Sequence, residues 1–104
     1  MPQPITATVT WDATLNKGTV ADITVPSGNG ATVIQWNCDS TVANFTISGL
    51  DPTEFTPSAS NPDVTFFSTT DRDDTAQVYT YNVDATHAAT GTRSRHDPKI
   101  TNEP

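Results

Sequence analysis

The chain has 104 residues, a formal net charge of −7 at pH 7 and one cysteine, so we expect a single domain over 1–104 with no intrachain disulfide. Five Lys and Arg residues against twelve Asp and Glu residues exclude a strongly cationic surface of the kind that binds nucleic acid or anionic membranes. No apolar run approaches the roughly 18 residues of a membrane span, so membrane insertion is not expected. The N-terminus has no signal-peptide pattern, which leaves the compartment open between the cytosol and a mature secreted protein.

Threonine dominates the composition and favours β-structure. Twenty of the 104 residues are Thr, a β-branched residue that suits a half-solvated sheet. Asp, Pro and Gly lie between the Thr-rich runs, where they favour turns. We therefore predict an all-β domain without any helix longer than a turn.

The first predicted strand is 5–12, where apolar and polar residues alternate with the period of a half-buried strand. PSGNG at 26–30 is the strongest turn signal, and the proline-rich segment 51–63 is predicted to be irregular, with Phe55 folded back against the core. Six further strands are predicted over 19–25, 31–39, 42–50, 64–70, 76–85 and 92–100, the last of them broken at Asp97-Pro98. Seven short strands about ten residues apart indicate a single antiparallel β-sandwich or a small barrel.

Trp36 stands on the third predicted strand, thirteen residues after Ile23, and Tyr79-x-Tyr81 stands on the sixth. In this arrangement the chain resembles the immunoglobulin-like β-sandwich, including its fibronectin-type and bacterial members, which packs a third-strand Trp against the bridge between its second and sixth strands. The resemblance implies that Ile23 and Tyr81 take the places of the two half-cystines. It also implies that Tyr81 faces Trp36 in the interior and that Tyr79 is the corner tyrosine. It carries no activity, because this superfold hosts many unrelated functions.

The strand order stays open between a Greek key and a meander. The short turn at 26–30 can make a plain hairpin, which belongs to a meander, whereas the resemblance implies a Greek key.

One acidic turn, TTDRDDTA, offers a candidate calcium site. It places Asp71, Asp73 and Asp74 within four positions, and calcium prefers several carboxylate and carbonyl oxygens. The alternative is a solvated turn that Arg72 partly neutralises. No other cofactor is predicted, so calcium is the one candidate.

Cys38, His87 and His96 are the only side chains that indicate nucleophilic or soft-metal chemistry. The alternation of the third strand places Cys38 on the same face as Trp36, where a free cysteine acts as a small hydrophobic residue. We therefore predict that the protein is not an enzyme.

A cationic stretch, RSRHDPK, lies near the C-terminus. Charged side chains and Pro98 on a last strand are typical of protection against edge-to-edge pairing, together with charge balance in an acidic protein. The alternative is a surface for an anionic partner. That surface would be formed by Arg93, Arg95, His96 and Lys99.

The absence of a catalytic pattern on a rigid scaffold predicts a small acidic binding module. It would present the loops 26–30, 51–63 and 86–91 to a protein or another surface ligand. One alternative is a structural subunit that self-associates by strand addition, using 64–70 or the N-terminal strand. Another is a calcium-stabilised extracellular module that uses the turn at 71–74.

Overall fold

The computed structural model describes residues 4–26, 28, 30–60 and 63–104, and it contains eleven strands and no helix in that part of the chain. The strands are β1 (Ile5–Asp12), β2 (Lys17–Thr19), β3 (Ile23–Val25), β4 (Thr32–Cys38), β5 (Val42–Ser48), β6 (Phe55–Thr56), β7 (Phe66–Asp71), β8 (Val78–Thr80), β9 (Asn82–His87), β10 (Arg93–His96) and β11 (Lys99–Asn102). The prediction of an all-β chain is confirmed. No helix long and apolar enough to cross a membrane occurs in the described residues.

The strands form three hydrogen-bonded sheets and not the single antiparallel pair of sheets that seven strands predicted. The first sheet has the order β2-β1-β4-β7-β6, the second β10-β9-β5 and the third β3-β11-β8. Two pairings are parallel, β1 with β4 and β3 with β11. The architecture is therefore all-β with mixed sheets, which is compatible with a β-sandwich.

The larger number of strands arises because three predicted strands are each divided in two. The predicted strand at 92–100 breaks at Asp97-Pro98, as expected, because proline has no N–H for the ladder. The predicted strand at 76–85 breaks at Tyr81, whose N–H donates instead to the Pro98 carbonyl at 3.1 Å. The predicted strand at 19–25 divides into β2 and β3. The short strand β6 lies in the segment that was predicted to be irregular.

The core contains nineteen buried apolar residues, and Trp36 and Tyr81 are among its largest members. Their rings lie edge to face with centroids 5.5 Å apart, and Trp36 Nε1 donates a hydrogen bond to Tyr81 Oη at 3.0 Å. Phe67 stacks against another side of Trp36 at 5.6 Å. Phe55 is buried against Tyr79 in an edge-to-face contact. The predictions that Trp36 faces Tyr81 and that Phe55 folds back onto the core are both confirmed.

Candidate functional site

The strand register divides the loops between two opposite ends of a molecule that measures 42 × 25 × 22 Å. At one end β7 finishes at Asp71, which lies opposite Thr32 of β4 and Phe55 of β6. The loops before β4, before β6 and after β7 therefore meet there. Thr41 follows the other end of β4 and its carbonyl accepts from Ala88 N–H at 2.9 Å, so the loop after β9 lies at the opposite end.

The three loops predicted as one contact surface do not lie together. The loop 26–30 and the first part of 51–63 meet at the Asp71 end, whereas 86–91 lies at the other end. Residues 27, 29, 61 and 62 of these segments lie outside the described residues.

The Asp71 end carries half of the acidic residues of the chain, and we call it the acidic end. The chain has twelve Asp and Glu residues. Arg72 is the one Lys or Arg among the described residues of the loops at this end. The six acidic residues of this end are Asp51, Glu54, Asp71, Asp73, Asp74 and Glu103. The negative charge of the protein is therefore concentrated at this end of the strands.

Three polar residues of the acidic end are buried against one another. Glu54 is 2% exposed, Asp71 0% and Asn102 2%. The Asn102 amide nitrogen lies between the two carboxylates and donates to Glu54 Oε2 at 2.9 Å and to Asp71 Oδ1 at 3.1 Å. We call these three residues the buried acidic cluster.

Strands β7 and β11 place Asp71 and Asn102 by their alternation, and β6 places the adjacent Glu54. In β7 the inward positions are Phe67, Thr69 and Asp71, so the last inward residue is a carboxylate and not an apolar side chain. In β11 the inward residues are Ile100 and Asn102. Glu54 directly precedes β6, which pairs with the end of β7.

The loop after β7 closes over the cluster through backbone donors. Asp73 N–H donates to Asp71 Oδ1 at 2.8 Å, and Asp74 N–H donates to Glu54 Oε2 at 3.3 Å. Asp73 has a φ of 53°, in the left-handed region that Asp and Asn adopt more readily than other residues with a side chain. Two buried oxygens, Asp71 Oδ2 and Asn102 Oδ1, have no hydrogen-bond partner, which is a costly state for buried polar atoms.

Burial changes the acidity of both carboxyl groups of the cluster. The pKa of Glu54 rises from 4.5 to about 7, mainly because the side chain is buried and also because Asp74 and Asp71 are close. Burial likewise raises the pKa of Asp71. The pKa of Asp74 is lowered, first by its hydrogen bond with Glu54 and then by the charge of Arg72. Burial therefore favours the protonated, neutral form of both carboxyl groups.

The predicted calcium ligands take three different positions. Asp71 belongs to the buried acidic cluster, Asp73 contributes its backbone N–H, and the Asp74 carboxylate pairs with Arg72 at 3.1 Å. In the described ranges 4–26, 28, 30–60 and 63–104, no group of three or more His, Cys, Asp or Glu side chains is arranged to hold a metal ion. Calcium binding by the predicted trio stays a prediction.

The two arginines of the predicted cationic surface are paired with acidic residues of the protein itself. Arg93 pairs with Asp63 at 3.1 Å, and Arg95 binds both carboxylate oxygens of Asp84 at 2.8 and 3.1 Å. These pairs lie on exposed strand surface, so each contributes little to stability. The arrangement fits charge balance within an acidic protein.

The other two members of that surface have different roles. A ring nitrogen of His96 contacts the Val20 carbonyl at 3.2 Å. Lys99 is exposed, and its backbone N–H donates to Asp22 Oδ1 at 3.0 Å. An anionic partner for this surface stays a prediction.

The residues considered for nucleophilic or soft-metal chemistry take part in packing. Cys38 is half-buried against the core, and burial and the charge of Asp39 raise the pKa of its thiol. His87 stacks on Trp11 with ring centroids 4.6 Å apart. A raised thiol pKa lowers the thiolate population, which disfavours nucleophilic attack at neutral pH.

Sequence reasoning missed Glu54 and Asn102. Glu54 lies in a segment predicted to be irregular, and Asn102 lies beyond the predicted end of the last strand at 100. A signal for Asn102 was available, because the alternation through Ile100 continues to it. No comparable signal marks Glu54.

No protein-family model matches the chain, and no curated protein matches its sequence.

Proposed function

We propose that the protein is a non-catalytic binding module whose acidic end takes a basic segment of a partner protein. The observation that carries this proposal is the concentration of six acidic residues and one arginine at one end of the strands. Clustered charge of one sign attracts an oppositely charged partner and raises its association rate. No pocket for a small-molecule substrate is found in the described part of the chain, which supports binding at a surface.

The scaffold of this module is proposed to be an immunoglobulin-like sandwich. Trp36 and Tyr81 are in direct contact, and Ile23 is buried in the same core. These are the positions at which the resemblance puts the third-strand Trp and the two bridge residues. The two parallel pairings and the third sheet are local departures from the simplest form of that architecture.

Binding of a short oligolysine peptide tests the acidic end. The double variant Asp51→Asn/Asp73→Asn should weaken pentalysine binding by roughly two- to fivefold, since exposed charges contribute modestly. Its matched control is Asp12→Asn/Asp39→Asn, which removes the same charge at the opposite end and should have a smaller effect. Affinity is measured by NMR titration at low and at physiological salt, where screening should reduce it.

Equal losses in the two double variants would contradict the proposal, because only net charge would then matter. An affinity that does not change with salt would contradict it as well.

A second candidate function is assembly by strand addition at the open part of β7. The neighbouring strand β6 pairs only with Thr70 and Asp71, so no strand of the described chain covers this edge from Phe66 to Ser68. Phe66 is 54% exposed beside that edge. An uncovered edge is a template for pairing with another chain.

Sedimentation at increasing concentration tests this second candidate. Arg72 N–H donates to the Glu54 carbonyl, on the side of β7 that faces β6. Successive N–H groups of a strand point to opposite sides, so the N–H of Ser68, four residues earlier, points to the same side as that of Arg72. Ser68→Pro removes that donor without removing a bond to β4, and it should abolish concentration-dependent assembly. Ser68→Ala is the control and should assemble as the unchanged protein does. A monomer at every concentration would exclude strand addition.

A further inference from the structure

The buried acidic cluster carries two carboxylates and has no buried cation to balance them. Glu54 and Asp71 are almost fully buried, and the nearest arginine, Arg72, is exposed and pairs with Asp74. A buried charge is costly unless it is paired. The one partner shared by both carboxylates is the neutral amide of Asn102, which supplies two hydrogen bonds but no charge.

The cluster also contains two oxygens that accept no hydrogen bond. Asp71 Oδ2 and Asn102 Oδ1 are buried without a hydrogen-bond partner. A half-turn of the Asn102 carboxamide exchanges its nitrogen and oxygen. The amide oxygen would then face Glu54 Oε2 and Asp71 Oδ1, so that oxygens of all three side chains converge. Such a set repels itself when empty and suits a cation.

We propose that Glu54, Asp71 and Asn102 hold one divalent cation of the calcium type. Two carboxylates and one dication are neutral together, which removes the cost of the two buried charges. The donors are all oxygens, which hard cations prefer, and carboxylates that can bind through one or both oxygens suit the flexible geometry of calcium better than the near-ideal octahedron that magnesium demands. This set contains two acidic side chains and one carboxamide, so it differs from the trio Asp71, Asp73 and Asp74 and shares only Asp71 with it.

Thermal unfolding with added salts is the first test. Calcium chloride should raise the Tm of the chelator-treated protein by several degrees in a concentration-dependent way, because the ion binds only the folded state. Magnesium chloride at equal ionic strength should have a smaller effect. Titration calorimetry should give a Kd on the order of 10⁻⁴ M, within the range of weak protein calcium sites.

Single variants assign the effect to the cluster. Glu54→Gln and Asp71→Asn keep the shape of each side chain and should weaken calcium binding at least tenfold. The matched controls Glu103→Gln and Asp12→Asn remove an exposed charge from the acidic end and from the opposite end, and they should leave calcium binding unchanged. Equal weakening by Glu103→Gln would indicate loose attraction to the acidic end and would overturn the proposal.

Terbium luminescence provides a readout that does not depend on a variant of the cluster being able to fold. Tyr79 lies near the cluster, because it pairs with Ile100 of β11, two residues before Asn102, and its ring contacts Phe55, the residue after Glu54. Terbium bound there should be sensitised by Tyr79, competed away by calcium and dimmed in Tyr79→Phe. No sensitised luminescence together with no calcium-dependent Tm shift would overturn the cation site. The pentalysine titration is carried out without metal, so the two results are independent.

Discussion

The contact between Trp36 and Tyr81 joins the two largest fully buried side chains of the molecule through one hydrogen bond. Trp36 Nε1 has Tyr81 Oη as its partner, and burial raises the pKa of that phenol above its usual value. A polar contact in an apolar core fixes the relative position of two rings that dispersion alone would leave free to slide.

Tyr81→Phe removes the hydroxyl and leaves the Trp36 donor buried without an acceptor. We expect the free energy of unfolding to fall by about 1–3 kcal/mol, the cost of an unsatisfied buried donor. Urea denaturation followed by tryptophan fluorescence measures the change. In a Trp36→Phe background the same substitution should cost less, because the orphaned donor is no longer present. An equal cost in both backgrounds would show that the hydrogen bond is not the source.

Glu54 makes stability depend on pH in the direction opposite to an ordinary salt-bridged carboxylate. Its pKa is about 7 in the folded protein and 4.5 in the unfolded reference, so the folded state binds the proton more tightly between these values. The contribution of Glu54 to the free energy of unfolding should therefore be highest below about pH 4.5 and should fall as the pH rises through about 7. Each unit of pKa difference corresponds to about 1.4 kcal/mol.

Urea denaturation between pH 5 and 8 in chelator-containing buffer checks this dependence. Glu54→Gln should flatten the profile, whereas Glu103→Gln should keep the slope. The raised pKa of Asp71 contributes with the same sign above about 3.8, and the lowered pKa values of Asp51 and Asp74 contribute with the opposite sign below about 3.8. Stability that rises from pH 5 to 8 would contradict the assignment to Glu54.

The alternation of the sequence predicts where strands lie, but it does not predict where they end or which strands they pair with. Residues 5–12 and 42–48 lie in strands as predicted, and in β1 the inward residues Ala7, Val9 and Trp11 are buried. Pro98 breaks the last strand as expected, because proline lacks an N–H. The break at Tyr81 had no local signal, since its N–H turns to a carbonyl seventeen residues away in the chain.

The periodic pattern of the sequence also does not predict which strands pair with each other. The parallel pairs β1 with β4 and β3 with β11 join segments that are far apart in the chain. A period of two indicates which face of a strand is buried, but it does not indicate which other strand pairs with it. The open part of β7, on which strand addition would depend, is for the same reason a property of the assembled sheet.

At the scale of the whole molecule the distribution of charge is the main result. The net charge of −7 follows from the composition, but the composition does not show where the charge lies. The register places six acidic residues at one end and leaves the arginines of β10 paired on a strand surface. A module that binds through one charged end should therefore bind a basic partner at that end, and the two double Asp→Asn variants test this.

The sequence by itself determined the all-β class, the lack of a disulfide, the acidity, the inward position of Trp36 and the break at Pro98, because composition, alternation and proline chemistry act locally. Only the tertiary structure decided the three sheets, the parallel pairings and the buried acidic cluster. Glu54, Asp71 and Asn102 come from three distant segments, and each reads as an ordinary polar residue in its own stretch. All three residues become buried, and the pKa of the two carboxyl groups rises, only when the fold brings these segments together and excludes water.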